Sequence, residues 1–207
     1  MKPFDLLEQL FESGAQCAYC GREIPKSGRA GCMDCEQALD ELKNKDGFAG
    51  GVLYVYQYDG PVKKLIHSFK YNDQPWLGSL IAQLMYDFLA DYEVDVDVIT
   101  YVPVHENRRK QRGFDQAELM AHRLAMLMDI PAERLIGRVR DTKPQYDLTE
   151  KKRAMNVRDA FAPVARANID GRNILLLDDI YTTGSTVAEC IRALDGADVT
   201  PFVFSRD

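Results

Sequence analysis

The chain, 207 residues long, contains no run of about eighteen apolar residues, so no part of it reads as a membrane-spanning helix. It contains no Gly-Lys pair either, which excludes the nucleotide triphosphatases whose phosphate loop ends in that dipeptide. Positive charge is not in excess: 26 Lys and Arg stand against 32 Asp and Glu, a net charge of −6. That balance argues against a uniformly basic nucleic-acid coat and leaves room for a local positive groove. The three histidines fall in no metal-ligand pattern; His67 and His122 read as helix residues, and His105, directly after a strand-like segment, is the candidate ligand contact. Internal repeats and low-complexity stretches are also missing. The first residues, Met-Lys-Pro-Phe-Asp-Leu-Leu-Glu, carry charge and lack a long apolar region, so a cytoplasmic protein without membrane insertion is expected.

Cysteine, by contrast, is present and patterned. Cys17 and Cys20, in Cys-Ala-Tyr-Cys-Gly, precede Cys32 and Cys35, in Gly-Cys-Met-Asp-Cys. Each pair forms a tight knuckle that aims two sulfurs at one point, with Gly21 able to supply the positive φ of the first turn. Four thiolates then satisfy tetrahedral Zn²⁺ with no open position. The stretch between the pairs holds Pro25, Gly28 and Gly31 and too few apolar side chains for a core. A structural zinc ion, contributing on the order of 10–16 kcal/mol, would therefore hold this lobe together. Two disulfides or redox dithiols are the alternative; a reducing cytosol disfavours the first, and a redox motif normally occurs once. Cys190, beside Ile191 and Leu194, reads as a small core hydrophobe.

An apolar content of 46% suffices for one substantial core beyond this lobe. We expect a zinc lobe over 1–46 and a larger domain over 47–207, with Gly47, Gly50 and Gly51 at the boundary. The spacing predicts strands over 52–58 and 96–104, and a helix over 62–70 with Pro61 at its first position. Leu77, Leu80, Ile81, Leu84, Met85 and Phe88 form one face of a helix over 76–90, and a further helix covers 116–128. Short strands near 134–139 and 159–164, and a closing strand over 199–204, complete a mostly parallel α/β sheet.

The most telling segment is 174–186, Ile-Leu-Leu-Leu-Asp-Asp-Ile-Tyr-Thr-Thr-Gly-Ser-Thr. A continuous apolar run reads as a buried parallel strand, and Asp178 and Asp179 then stand at its carboxyl end, where open α/β sheets place ligands. The loop that follows is small and polar, flexible at Gly184, and opens a helix over 186–194 with Thr186 and Glu189 spaced as a capping box. Backbone N–H groups, the helix dipole and the hydroxyls of Thr182, Thr183, Ser185 and Thr186 can face one anion. The dipole gives about 0.3–1 kcal/mol and each hydrogen bond to a charged group about 1.5–3 kcal/mol, so several together suffice. The two carboxylates suit vicinal sugar hydroxyls and stabilise a cationic anomeric carbon. Phosphate loop and diol clamp, converging on one molecule, specify ribose-5-phosphate.

Two basic clusters stand out against the acidic background. Arg108, Arg109, Lys110 and Arg112 follow the strand at 96–104 through Val102-Pro103-Val104-His105 and precede Asp115, which can cap the next helix with Glu118 three residues on. The stretch 138–158 carries seven basic and three acidic residues and reads as a loop or flap. The residues alone leave three readings of these clusters open: pyrophosphate contact, a track for single-stranded nucleic acid with Phe114 or Tyr146 as stacking platforms, and solvated surface.

Segment 174–186 resembles, at all its positions, the signature of the type I phosphoribosyltransferases: apolar strand, two acidic residues, apolar residue, Thr/Gly loop and final Ser-Thr. The resemblance implies a pyrophosphate-activated ribose-5-phosphate donor (PRPP) held with Mg²⁺. Its 5′-phosphate would lie on Thr182, Thr183, Gly184, Ser185 and Thr186, and its ribose hydroxyls on Asp178 and Asp179. A narrower resemblance spans nearly the whole chain. Arg-Gly-Phe-Asp-Gln at 112–116, the Thr142/Gln145/Leu148 spacing, Arg153 with Asn156-Val157, the His67-Ser-Phe-Lys70-Tyr71 stretch and the four cysteines are similar to the ComF family, with Asp115 where many members have Asn. That family pairs an N-terminal zinc lobe with a phosphoribosyltransferase-like domain and is linked to competence and DNA uptake. It implies an enzyme of unidentified acceptor in which Asp178 or Asp179 assists ionisation of the C1–pyrophosphate bond. His105, Arg108, Arg109, Lys110 and Arg112 would face the pyrophosphate or nucleic acid. The alternative is a DNA-uptake accessory that binds single-stranded DNA or a partner ATPase, with the donor pocket as sensor or vestige.

Overall fold

The computed structural model describes residues 16–25, 29–72, 74–140, 157–165 and 167–207, the side chains of Arg108, Gln111 and Arg112 excepted. Thr142, Gln145, Leu148, Arg153 and Asn156, and with them most of the second basic cluster, lie outside the described residues.

In chain order the elements are α1 (Met33–Leu42), β1 (Phe48–Ala49), β2 (Val52–Gln57), α2 (Gly60–Tyr71), α3 (Leu77–Leu89), β3 (Val98–Tyr101), α4 (Glu106–Arg112), α5 (Gln116–Met128), β4 (Ile136–Arg138), β5 (Phe161–Pro163), β6 (Asn173–Tyr181), α6 (Ser185–Ala193) and β7 (Asp198–Arg206). One sheet runs β1-β2-β7-β6-β3. Only the two-residue β1 is antiparallel; β2 with β7, β7 with β6 and β6 with β3 are parallel. The expected mostly parallel α/β sheet is thus present, because its strands are near-continuous apolar runs that need cover on both faces.

That cover comes from two groups of helices. On one face α2, α3 and α5 bury Leu65, Phe69, Ile81, Met85, Met120 and Leu124 against Leu175, Leu177, Phe202 and Phe204. On the other, α6 sets Val187 and Cys190 against Ile174 and Leu176, together with Ile136 and Phe161 of the β4–β5 hairpin. Cys190 is fully enclosed, as its apolar neighbours led us to expect. Asp115 caps α5 by accepting from the N–H groups of Ala117 at 3.1 Å and Glu118 at 3.3 Å.

Four expectations are corrected. The strand over 199–204 does not close the sheet: β7 is longer and lies between β2 and β6. The short strands near 134–139 and 159–164 pair with each other in a separate two-stranded sheet. The strand over 96–104 shrinks to β3, since Pro103 and the turn toward His105 end its ladder. The basic stretch after it, between the expected strand and the helix from 116, is itself helix α4, started by His105 Nδ1 accepting from the Asn107 N–H and stopped by Gly113 at φ 78°.

The cysteine lobe is not set apart from this core. Tyr19 and Leu39, each 5% exposed, share one apolar cluster with Tyr56, Leu65 and Phe69. Among the described residues, no helix is long and apolar enough to cross a membrane.

Candidate functional site

The sheet has a topological switch point between β3 and β6. After β3 the chain turns to α5 on one face; after β6 it turns to α6 on the opposite face. Adjacent strands whose connections diverge in this way leave a crevice beyond their carboxyl ends, the usual ligand position in open α/β sheets. β3 pairs with β6 only as far as Tyr101 opposite Leu177, with a last bond from the Val102 N–H to the Leu177 carbonyl. β6 continues to Tyr181 along β7. Asp178 and Asp179 therefore lie within the strand, on the edge that β3 has vacated.

The loop 182–184 leads directly into α6. Gly184 is its cap residue at φ 74°, in the left-handed region, and a Cβ there would strike the Tyr181 hydroxyl, so glycine is required. The Thr183 and Ser185 hydroxyls lie 3.0 Å apart. Thr182 is exposed, and Thr183 to Thr186 are half-buried. The expected capping box is not formed: α6 begins one residue early, at Ser185, and has no side-chain cap. Glu189 instead accepts from the Asp159 N–H at 2.9 Å and pairs with Arg192 at 2.7 Å. Ser185, Thr186 and Val187 form the first turn of α6, directly after this loop.

The two carboxylates do not project together. Side chains alternate along a strand, so Asp178 shares the face of Leu176 and of its β7 partner Val203, and Asp179 shares that of Leu175 and Leu177. This narrows the expected two-carboxylate clamp. Asp179 is 8% exposed, and its Oδ2 lies 2.5 Å from Lys70 Nζ in the last turn of α2. Asp178 is half-buried; its Oδ1 accepts from the Asp179 N–H at 2.9 Å. Enclosure of its carboxyl, then the neighbouring Asp179 charge, push its pKa up to about 8, against the opposing pull of that N–H and of Lys70.

Of the first basic cluster, the side chains of Arg109 and Lys110 are described. Arg109 Nη2 lies 2.9 Å from Glu118 Oε2, and Glu118 Oε1 accepts from the Tyr101 hydroxyl at 2.9 Å. Burial, then this acceptor, raises the Tyr101 phenol above its usual range. Asp115 Oδ2 takes the Val104 N–H at 2.9 Å, tying the loop after β3 to the start of α5. A cleft of about 300 Å³ beside these groups is lined by Tyr101, Val104, Arg109, Lys110, Asp115 and Arg134 among others. Asp178, Asp179 and 182–186 are not among the residues lining this cleft.

At the other end of the chain, the Sγ atoms of Cys17, Cys20, Cys32 and Cys35 all lie within 4.8 Å of one another, and this cluster could hold a metal ion. Cys20 Sγ and Cys32 Sγ are 3.8 Å apart. A tetrahedron of Zn–S bonds of about 2.3 Å has an edge of about 3.8 Å, so the donor set and spacing fit zinc. The first knuckle closes with the Gly21 N–H on the Cys17 carbonyl at 2.8 Å, and Gly21 takes the expected positive φ of 74°. The second is the start of α1: Cys32 is its cap residue, and its own N–H donates to Cys17 Sγ at 3.3 Å. Burial raises the Cys17 thiol, but N–H donors led by that of Cys32 outweigh it and bring the pKa down to about 7; Cys35, enclosed among the other thiols, is raised.

Lys70 escaped the sequence reading as a site residue. Its partner is remote in sequence, and the available signal was only its position in the helix turn after buried Phe69. Glu118, expected as part of a cap, turned out to join Tyr101 to Arg109.

Together these observations define an α/β protein with a mostly parallel sheet, a strand–loop–helix crevice at its switch point and an N-terminal four-cysteine cluster. No family model matches the chain. Among named proteins it is similar to Competence protein F of Haemophilus influenzae, 28% identical over 196 residues covering 90% of this chain and 81% of that protein. Competence protein ComFC of Bacillus subtilis is 28% identical over 203 residues, covering 94% and 79%. DNA utilization protein YhgH of Salmonella typhi is 30% identical over 146 residues, covering 68% and 63%. These relatives bear out the resemblance to the ComF family. Solved structures similar to it include glutamine phosphoribosylpyrophosphate amidotransferase from B. subtilis, 20% identical with a TM-score of 0.46 over 66% of this chain and 30% of that one. Adenine phosphoribosyltransferase from Leishmania tarentolae is 11% identical, with a TM-score of 0.45 over 79% and 80%.

Proposed function

We propose that this chain binds an activated ribose-5-phosphate donor of PRPP type at the β3/β6 switch point and serves DNA uptake or DNA use. The observation that carries the donor reading is one continuous unit: Asp178 on the open edge of β6, then the loop 182–184, then the first turn of α6. The 5′-phosphate lies on the loop hydroxyls and the first N–H groups of α6, where the helix dipole favours an anion. Asp178 accepts from the ribose hydroxyls, and once ionised, which its raised pKa reserves in the free chain for pH above about 8, its negative charge stabilises positive charge growing at the anomeric carbon as pyrophosphate leaves. Mg²⁺ would travel on the donor's own oxygens and neutralise its pyrophosphate; the four cysteines are the one gathered metal-ligand set among the described residues. Zinc in that set is a structural ion, since four thiolates leave no open position. The role in DNA uptake follows the names of the relatives, competence and DNA utilization. The acceptor of the ribosyl group is unassigned.

The test is calorimetric titration of the chain with PRPP and Mg²⁺. At pH 9, where Asp178 is mostly ionised, Asp178→Ala is expected to weaken binding about tenfold, the loss of one charge-assisted hydrogen bond; unchanged affinity removes the assignment. A second reading is favoured by the exposed Arg109 and Lys110 beside their own cleft: a contact for single-stranded DNA or a partner ATPase, with the donor site as sensor. Salt-dependent binding of an oligonucleotide, lost in an Arg109→Ala/Lys110→Ala double variant, supports it; salt-independent binding, or none, dismisses it.

A further inference from the structure

We propose that Lys70 is the positioning residue of the pentose site: by anchoring Asp179 on α2 it keeps that carboxylate off the sugar and leaves Asp178 as the single acidic acceptor. The inference rests on the donor reading above and assigns a role that the motif at 174–186 does not contain.

Three observations carry it. First, the pair is built into the protein, with Lys70 and Asp179 side chains only 19% and 12% exposed and a separation of 2.5 Å. Exposed ion pairs wander and are screened; an enclosed one fixes the rotamer of both partners. Second, Lys70 is fixed from behind. It follows Phe69, which is fully buried, and it stands in the last turn of α2, where helix carbonyls favour a cation. Third, the two acids are consecutive on one strand and repel each other, so ionising both in an enclosed crevice needs a cation in reach of both. Lys70 acts on Asp178 as well as on Asp179. Asp178 also feels the charge of Asp179 on its own strand and of Asp115 at the start of α5, and it faces the neutral Cys190 thiol on α6. Among these described groups Lys70 is the cation.

The proposal separates Lys70 from a direct phosphate or pyrophosphate ligand. A ligand contact would act whether or not Asp179 is charged, whereas a positioning residue acts through it. The experiment uses the full chain as wild type, Lys70→Met, Lys70→Arg, Asp179→Asn and the Lys70→Met/Asp179→Asn double variant, each titrated with PRPP and Mg²⁺. Lys70→Met is expected to weaken binding about tenfold and Lys70→Arg to recover most of it, while the double variant binds as Asp179→Asn does alone, the two effects failing to add. An undiminished Lys70→Met, or a Lys70→Met loss repeated in full on the Asp179→Asn background, overturns the proposal. A second readout needs no donor: the ¹³C carboxyl resonance of Asp178, followed through pH. Loss of the nearby cation is expected to move its midpoint up by about one unit in Lys70→Met but not in Lys70→Arg. A wild type that ignores PRPP defeats the donor reading alone; a midpoint unmoved by Lys70→Met defeats the role given to Lys70.

Discussion

Replacing Cys32 with Ser removes one of the four clustered sulfurs and, if the cluster holds zinc as proposed, the metal on which the first knuckle would depend. The lobe outside α1, roughly fourteen described residues at about 1.5 kcal/mol each, needs about 21 kcal/mol of ordering free energy. Burial of Cys17, Tyr19 and Ile24 returns roughly 6–8 kcal/mol. The shortfall of about 13–15 kcal/mol falls within the range of about 10–16 kcal/mol that structural zinc supplies, so the lobe folds with the ion and not without it. In Cys32→Ser, metal analysis should fall from one zinc per chain to near zero. The Ala18 N–H, on the Ala30 carbonyl at 2.8 Å, and the Gly21 N–H, on that of Cys17, should exchange with solvent as in an unfolded segment. The β6 and β7 amides should keep their protection. Because Tyr19 also packs on the main core, its release costs that core about 2 kcal/mol and lowers Tm by about 6 °C. Metal-free protein with wild-type protection at Ala18 and Gly21 would refute the reasoning.

Asp178 gives a pH-dependent prediction. An acid whose folded-state value lies above its unfolded one binds its proton more tightly when folded, so ionising it costs stability, from the ordinary carboxylate range upward and fully above about 8. Asp178→Asn, neutral throughout, should match wild type in urea near pH 4 and exceed it at pH 9 by on the order of a few kcal/mol; parallel stability curves would contradict this. Asp115→Ala strips the acceptor from the N–H groups of Val104, Ala117 and Glu118 and should cost about 2 kcal/mol in urea unfolding, with Asp115→Asn costing less than half of that. An Asn variant as damaged as the Ala one would show that charge, not capping, matters there. Gly184→Ala should cost about 1–2 kcal/mol for the left-handed backbone, plus a clash that Tyr181→Phe partly relieves, read as Tm. A Tm equal to wild type would mean that the loop does not take this shape.

Helices over 62–70, 76–90 and 116–128 were legible because each carries an apolar stripe at helical spacing, and α2, α3 and α5 match them closely. α4 was not, because Glu-Asn-Arg-Arg-Lys-Gln-Arg has no apolar face; its signs were the bracketing His105 and Gly113. The central place of β7 could not be read from its own residues, since strand order is set by pairings far apart in sequence. At the candidate site the residue types were legible and their directions were not fully drawn. Period-two alternation already implies that consecutive acids in a strand diverge, and the expectation of a shared clamp overlooked it. The Lys70–Asp179 pair needed the fold, because only the packing of α2 on the sheet brings that lysine to β6.

The account turns on where a pentose phosphate sits. Adding ribose-5-phosphate to ¹⁵N-labelled protein should shift the amide signals of Thr182, Thr183, Gly184, Ser185 and Thr186, together with Asp178, at saturating ligand. Shifts confined to Val104, Arg109, Lys110 and Arg134 around the cleft beside Tyr101, with the loop before α6 unmoved, would contradict it.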